Sequence, residues 1–312
     1  MASFLKLIRF QNLLIIAITL YLIRFCVVHP LIKSLGLMPQ MNEFHFLLLS
    51  LSTIFIAAAG YAINDYFDVK IDRINKPEKM VVDITIKRRI AILTHLIFNA
   101  IAFIMAFILC LEIKIYSLII LHLLTAILLL IYSVKYKREF ITGNIIIAFL
   151  VGLIPVLASY YEVNSTQISF SDLIQNRYFF FLMGYCVFAF LTTLSREIIK
   201  DIEDFDGDIA YGCNTMPIKL GIKKTKSFVL FISSLILLIL SAMQYNEYKS
   251  ENHIASVYLL LFITLPLIFI VYKLYHSESK SDISFISKLF KTLMIFGVLS
   301  TAVIYFFTNI SY

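Results

Sequence analysis

Ten aspartates occur in the 312 residues, and seven fall into two clusters: Asp65, Asp68 and Asp72, then Asp201, Asp204, Asp206 and Asp208. Three members of each cluster share one spacing, D-x-x-D-x-x-x-D, so that Asp65, Asp68 and Asp72 match Asp201, Asp204 and Asp208 position for position. On a helix, steps of three and seven residues return to within an arc of ~60°. Each trio therefore predicts one acidic stripe. Two stripes facing each other repel, because unit charges ~4 Å apart cost about 4 kcal/mol at an effective dielectric near 20. A shared cation relieves that repulsion. Carboxylate oxygens near water suit Mg²⁺, which keeps coordination positions open for phosphate oxygens. The pattern predicts a Mg²⁺ site that holds a diphosphate rather than a structural metal. Solvated loop carboxylates are the bland alternative, and they give no reason for one spacing to occur twice.

The elements that carry the two clusters are apolar. The chain is 60% hydrophobic with a mean hydropathy of +0.88, and it holds only 9 glycines and 6 prolines. Long apolar runs, rather than alternation, exclude a porin-like barrel and predict an all-α polytopic membrane protein. Nine segments reach the ~20 residues needed to span a bilayer. They lie at 12–32, 44–63, 90–110, 115–134, 140–160, 178–197, 226–245, 254–275 and 288–308. Asp65 follows the second span and Asp201 the sixth, which divides a single domain, 1–312, into related halves of about 1–139 and 140–312. Each cluster precedes a proline-containing loop, N-K-P at 75–77 and N-T-M-P at 214–217. Pro155 and Pro266 fall inside spans and predict kinks. The run 12–32 is too long for a signal-peptide core and reads as the first anchor.

Charge placement predicts orientation. Of 27 lysines and arginines, 21 fall at the N-terminus or in the loops that follow even-numbered spans, and four fall on the other side. The positive-inside rule puts the N-terminus and both aspartate clusters in the cytoplasm and the C-terminus outside, in a protein of the cell (inner) membrane. The net charge of +7 is explained by topology and acidic lipid, with no basic-aromatic patch for nucleic acid. Cys26, Cys110, Cys186 and Cys213 form no C-x-x-C pair and read as small buried hydrophobes. The six histidines lack ligand spacing. Arg24, inside the first span, is an intramembrane charge and so a candidate for function, or for pairing with a headgroup.

N-D-Y-F-D-V-K-I-D and K-D-I-E-D-F-D-G-D resemble the two aspartate-rich motifs of the UbiA-type intramembrane prenyltransferases. R-F-Q-N at 9–12, Y-S-V-K-Y-K at 132–137 and G-N at 143–144 resemble further positions of that family. R-E-I-I-K-D-I-E-D-F-D-G-D, T-M-P-I-K-L-G and I-D-R-I-N-K-P are similar to the branch that makes archaeal-type ether lipids, the digeranylgeranylglyceryl phosphate synthases. One departure stands out: relatives continue with R-P-x-P-S-G where this chain has P-E-K-M-V-V-D at 77–83. The resemblance implies nine helices and makes Asn64, Asp65, Asp68, Asp72, Asp201, Asp204 and Asp208 the catalytic and metal-holding set. It also implies that Asn12 and Tyr132 are polar substrate contacts.

The expected reaction is Mg²⁺-dependent transfer of a prenyl group from a polyprenyl diphosphate, whose tail enters the bundle at ~0.8 kcal/mol per buried CH₂. The acceptor is a glycerol-phosphate-type lipid hydroxyl, or alternatively the ring carbon of a hydroxybenzoate or dihydroxynaphthoate. Lys137, Arg138, Lys200, Arg73 and Lys76 are candidate phosphate contacts, with Arg138 and Lys76 read as topology charges. A cation-coupled transporter and a Mg²⁺-stabilised scaffold are the non-enzyme alternatives. Transporter acids tend to lie at the midplane on broken helices, whereas these sit at helix ends.

Overall fold

The computed structural model describes residues 2–166 and 168–308. Among them, eight helices are long and apolar enough to cross a membrane, and a pair bent by 43° makes a ninth where it counts as one span. In chain order the spans are span 1 (Phe10–Ser34), span 2 (Glu43–Asn75), span 3 (Arg88–Ile113), span 4 (Ser117–Val134), span 5 (Thr142–Gly152 with Ile154–Asn164), span 6 (Arg177–Glu203), span 7 (Ile222–Lys249), span 8 (His253–Tyr275) and span 9 (Lys280–Phe307). All nine expected segments are present, each within a helix or helix pair. Hydrocarbon offers no partners to free backbone groups, so helices are the form such runs must take.

Side-chain caps set several starts. Asn42, Asn176 and Asn252 accept from the backbone N–H of His45, Tyr178 and Ala255, opening spans 2, 6 and 8. Prolines set the irregularities. Pro30 and Pro266 lack the N–H that would close a helical turn, and each is preceded by a π-helical stretch, Arg24–Val28 and Leu260–Thr264. Pro155 stands just after the 43° bend of span 5. The kink predicted at Pro155 is found as a break, and at Pro266 a π-helical stretch precedes the proline.

The packing has an apolar outside and a divided inside. Leu96, Ile104, Phe107, Phe231 and Leu238 lie exposed on the periphery, as lipid-facing residues do. Ile198, Ile202, Ile232, Ile236, Ile270 and Phe290 join spans 6 to 9 in one buried cluster. Leu20, Phe46, Leu49, Leu109, Leu118 and Tyr161 join spans 1 to 5 in another. Arg24 belongs to this second region and not to the aspartates. It is 1% exposed, donates to the Met41 carbonyl at 2.6 Å and pairs with Glu43 at 3.0 Å. Its guanidinium also lies 4.3 Å from the centre of the Phe46 ring. Glu43 opens span 2, and the aspartates close it. Arg24 thus staples the opposite end of the bundle.

The two aspartate trios differ in a way the shared spacing conceals. Asp65, Asp68 and Asp72 ride on the last turns of span 2, which continues well past residue 63 to Asn75. The second trio does not form a single helical stripe. Span 6 ends at Glu203, Asp204 is its C-cap, and a separate short helix, Phe205–Ala210, carries Asp208. The break is bridged from span 2. Asn75 Nδ2 donates to the Asp204 carbonyl and Asn75 Oδ1 accepts from the Gly207 N–H, both at 2.8 Å. The side chain of span 2's last residue thereby holds the turn open. A Cβ at Gly207 would come within 2.5 Å of that amide, so only glycine fits there.

Candidate active site

One cavity of about 1090 Å³ runs from the charged end of the bundle into its apolar interior. Its mouth is lined by Arg9, Asn64, Asp65, Asp68, Asp72, Lys76, Lys137, Asn144, Asp201 and Asp204. Deeper walls come from Ile16, Ile23, Ile56, Leu121, Pro155 and Phe188. A charged mouth over an oily interior suits a ligand with an anionic head and a hydrocarbon tail.

Four of the six motif aspartates have a defined side-chain partner. Asp65 accepts from Arg9 at 2.8 Å. Asp68 has a side chain only 5% exposed, and it accepts from Asn64 Nδ2 at 2.6 Å and from the Lys137 ammonium. Asp201 accepts from Asn144 Nδ2 at 2.7 Å. Asp204 pairs with Lys76 at 2.6 Å. Lys76 directly follows span 2, so this ion pair ties the first motif to the second, as Asn75 does. Lys137 sits in the turn between spans 4 and 5. A Cβ at Gly143 would come 2.6 Å from the Tyr136 carbonyl, so the bare backbone there lets span 5 pack against that turn.

The electrostatics follow from these contacts. Burial opposes the charge on Lys137, but Asp68, Tyr132 and Asp72 together overcome it and hold its pKa above the ordinary value. Asp208 is buried beneath the mouth rather than lining the cavity. Burial, and then the nearby Asp204, push its pKa up to about 7, with Lys137 acting the other way. Asp68 also acts on Asp208, so the two motifs share one electrostatic field.

Among the described residues, no three carboxylate, histidine or cysteine side chains stand close enough to hold a metal ion. The mouth holds its carboxylates against lysine, arginine and asparagine instead. The donor set nevertheless fits Mg²⁺. It consists of hard oxygens, and Asn64 Oδ1 is buried without a hydrogen-bond partner beside Asp68.

Of the expected substrate contacts, Asn12, Asn64, Tyr132, Lys137 and Lys200 all line the cavity. Asn12 donates weakly to the Tyr61 hydroxyl at 3.4 Å. Two expectations need correction. Arg73 points away: its side chain is 61% exposed and pairs with Asp83, because its helical position faces the 80–88 loop. Lys76, read as a topology charge, is the bridge to Asp204. Lys200, although next to Asp201 in sequence, pairs with Glu197 one turn back at 2.8 Å. Sequence reasoning missed Asn75 and gave Asn144 no role, although each is an asparagine placed beside a motif or a glycine at a helix end. The 77–83 segment contributes Lys79, Met80 and Val81 to the cavity wall.

A sequence model of the UbiA prenyltransferase family matches residues 34–295. The chain is 33% identical over 262 residues to a digeranylgeranylglyceryl phosphate synthase from Methanosphaera stadtmanae, covering 83% of this chain and 88% of that one. It is 28% identical over 306 residues to the Methanosarcina mazei protein of the same name, covering 96% of each. A solved digeranylgeranylglyceryl phosphate synthase structure superposes with a TM-score of 0.65 at 26% identity, covering 97% of both chains. A UbiA homologue from Archaeoglobus fulgidus, bound to GPP and Mg²⁺, shares the fold with a TM-score of 0.55 at 16% identity, covering 96% of this chain and 99% of that one.

Proposed function

The chain belongs to the UbiA prenyltransferase family, an integral membrane enzyme that transfers prenyl groups, and from that premise we propose that it alkylates the free hydroxyl of a glycerol-phosphate-type lipid with a polyprenyl diphosphate, using Mg²⁺. The relatives named digeranylgeranylglyceryl phosphate synthase support this acceptor over an aromatic one. The observation that carries the reading is the single cavity in which both aspartate motifs meet at a polar mouth above apolar walls.

In this scheme the donor's diphosphate lies at the mouth and its tail lies among Ile16, Ile23, Ile56 and Phe188. Asp68, Asp72, Asp201 and Asp204 at the mouth, with Asp208 buried beneath them, would hold the Mg²⁺, and Asp65 and Asn64 would support them. The bound Mg²⁺ supplies Lewis-acid neutralisation of the departing diphosphate. Lys137, Lys76 and Arg9 add fixed positive charge where the leaving group gains negative charge. Asn64 and Asn144 orient Asp68 and Asp201. The donor's C1–O bond breaks, the acceptor oxygen bonds to C1, and the hydroxyl proton and the diphosphate leave. The apolar walls keep water from capturing the allylic cation. The basic residues gathered at the motif end support a cytoplasmic mouth, with the N-terminus on that side and the C-terminus opposite. Each half of the chain, about 1–139 and 140–312, then contributes one motif to a shared site.

The test is a matrix of prenyl diphosphates against glycerol-lipid and aromatic acceptors, with purified protein and products identified by mass spectrometry. The expected product is a prenyl ether of the glycerol lipid, formed only with divalent metal and lost in Asp68→Ala. A prenylated hydroxybenzoate or dihydroxynaphthoate would replace the acceptor assignment, and turnover in chelator would overturn the scheme.

A further inference from the structure

The cavity wall carries a second group of charges beside the aspartate mouth. Arg196, Glu197 and Lys200 come from span 6, and Lys291 comes from span 9; all four line the cavity. Arg196 Nη1 and Lys200 Nζ both donate to Glu197 Oε1 at 2.8 Å. Lys291 has neither a hydrogen bond nor an ion pair among the described residues. The charged groups that act on it are Arg196 and Arg9, both positive. Arg9 is already engaged by Asp65. That leaves three cations facing one carboxylate, an excess of two positive charges against apolar walls.

An uncompensated ammonium inside a membrane bundle is costly and calls for an anion. Lys291 lies on span 9 and lines the cavity, with Arg196 and Arg9 as the charges that act on it. The Arg196 Nε is likewise buried without a partner. The charges that act on this basic group differ largely from those at the mouth, although Glu197 also acts on Asp201. Lys137 acts on Asp68 and Asp72, and both Lys137 and Lys76 act on Asp208. Glu197 instead feels Lys200, Arg196 and Arg9. Arg9 stands between the two sets.

We propose that Arg196, Lys200 and Lys291 bind the phosphate monoester of the acceptor lipid, as a second anion site separate from the one for the donor diphosphate. This deepens the glycerol-phosphate reading and rests on it. A phosphate monoester carries about −1.5 to −2 charges near neutral pH, which matches the excess of two. Arginine offers paired N–H donors and lysine a point charge, a combination suited to a terminal phosphate. Anchoring there brings the acceptor hydroxyl into the same chamber as the donor, and selects phosphorylated over unphosphorylated glycerol lipids.

The test compares kcat/KM for geranylgeranylglyceryl phosphate and for its dephosphorylated alcohol, with geranylgeranyl diphosphate as donor. In wild type the phosphorylated acceptor is favoured. Lys291→Gln and Arg196→Gln are expected to lower that preference tenfold or more while the donor KM moves less than twofold, and Lys291→Arg to restore the preference. An equal fall for both acceptors, or a raised donor KM, overturns the second site and assigns these cations to the donor or to structure. A separate measurement covers failure of the acceptor reading itself. Dodecyl phosphate, but not dodecanol, is expected to raise the melting temperature of wild type and not of Lys291→Gln. If neither glycerol acceptor reacts yet this contrast holds, the anion site stands and the acceptor assignment falls. If the contrast is absent, the anion site falls.

Discussion

Replacing Asn75 with alanine tests whether one side chain sets the register between the two aspartate motifs. Asn75 is 8% exposed and makes two hydrogen bonds of 2.8 Å, donating to the Asp204 carbonyl and accepting from the Gly207 N–H. Each is worth about 0.5–1.5 kcal/mol net, and a buried group left unpaired adds about 1–3 kcal/mol. Asn75→Ala should therefore destabilise the Asp204–Asp208 turn by roughly 2–6 kcal/mol, read as a lower melting temperature in detergent. Asp204 and Asp208 then lose their fixed position relative to Asp68 and Asp72. The Mg²⁺ concentration for half-maximal transfer should rise tenfold or more, equivalent to about 1.4 kcal/mol. Gly207→Ala forces a Cβ to within 2.5 Å of the same amide and should give a similar defect. The double variant is the sharp test, because removing the amide also removes the clash. Gly207→Ala with Asn75→Ala should be less impaired than the sum of the two single changes. Strict additivity, or an Asn75→Ala protein with unchanged Mg²⁺ dependence, would refute the reasoning.

Lys137→Met should reduce kcat/KM by two orders of magnitude or more in transfer assays, since it removes the cation on Asp68 that also faces the leaving group. Arg73→Ala, at an exposed position paired with Asp83, should leave transfer within about twofold and stability within ~0.5 kcal/mol. Arg24→Met removes a buried guanidinium from the Met41 carbonyl and the Phe46 ring, its Glu43 partner being largely exposed, and should cost about 1–3 kcal/mol in unfolding assays without altering the product. Asp208 is held at about pH 7, above its ordinary value, by burial and by Asp204. Its folded form therefore binds a proton more tightly than its unfolded form. Metal-free stability should fall as pH rises from about 4 to about 7, and Mg²⁺ should raise the melting temperature more at pH 7.5 than at pH 5.

The architecture was legible because apolar length and charge asymmetry are strong, local signals. The crossings follow from them, and the site's two carboxylate groups follow from the repeated aspartate spacing. The turn that splits Asp201 from Asp208 was not legible. The spacing permits a single helix, and the break is bridged by the distant Asn75 side chain, inserted from span 2. Arg73 and Lys76 were misjudged for a related reason. They lie three residues apart, but span 2 ends between them, sending Arg73 toward Asp83 and Lys76 toward Asp204. Lys200 shows that adjacency along the chain is not proximity on a helix: its partner is Glu197, three residues back. The basic group around Lys291 was hidden because spans 6 and 9 are far apart in sequence, and no motif links them.

The central claim is that both aspartate motifs, acting together, hold one prenyl diphosphate through Mg²⁺. The most direct measurement is binding of a non-reactive prenyl diphosphate analogue by calorimetry, with and without Mg²⁺, in wild type, Asp68→Ala and Asp204→Ala. Binding that requires Mg²⁺ and is lost in either single variant is the expected result. Tight binding in chelator, or full Mg²⁺-dependent binding with either motif disabled, would contradict it.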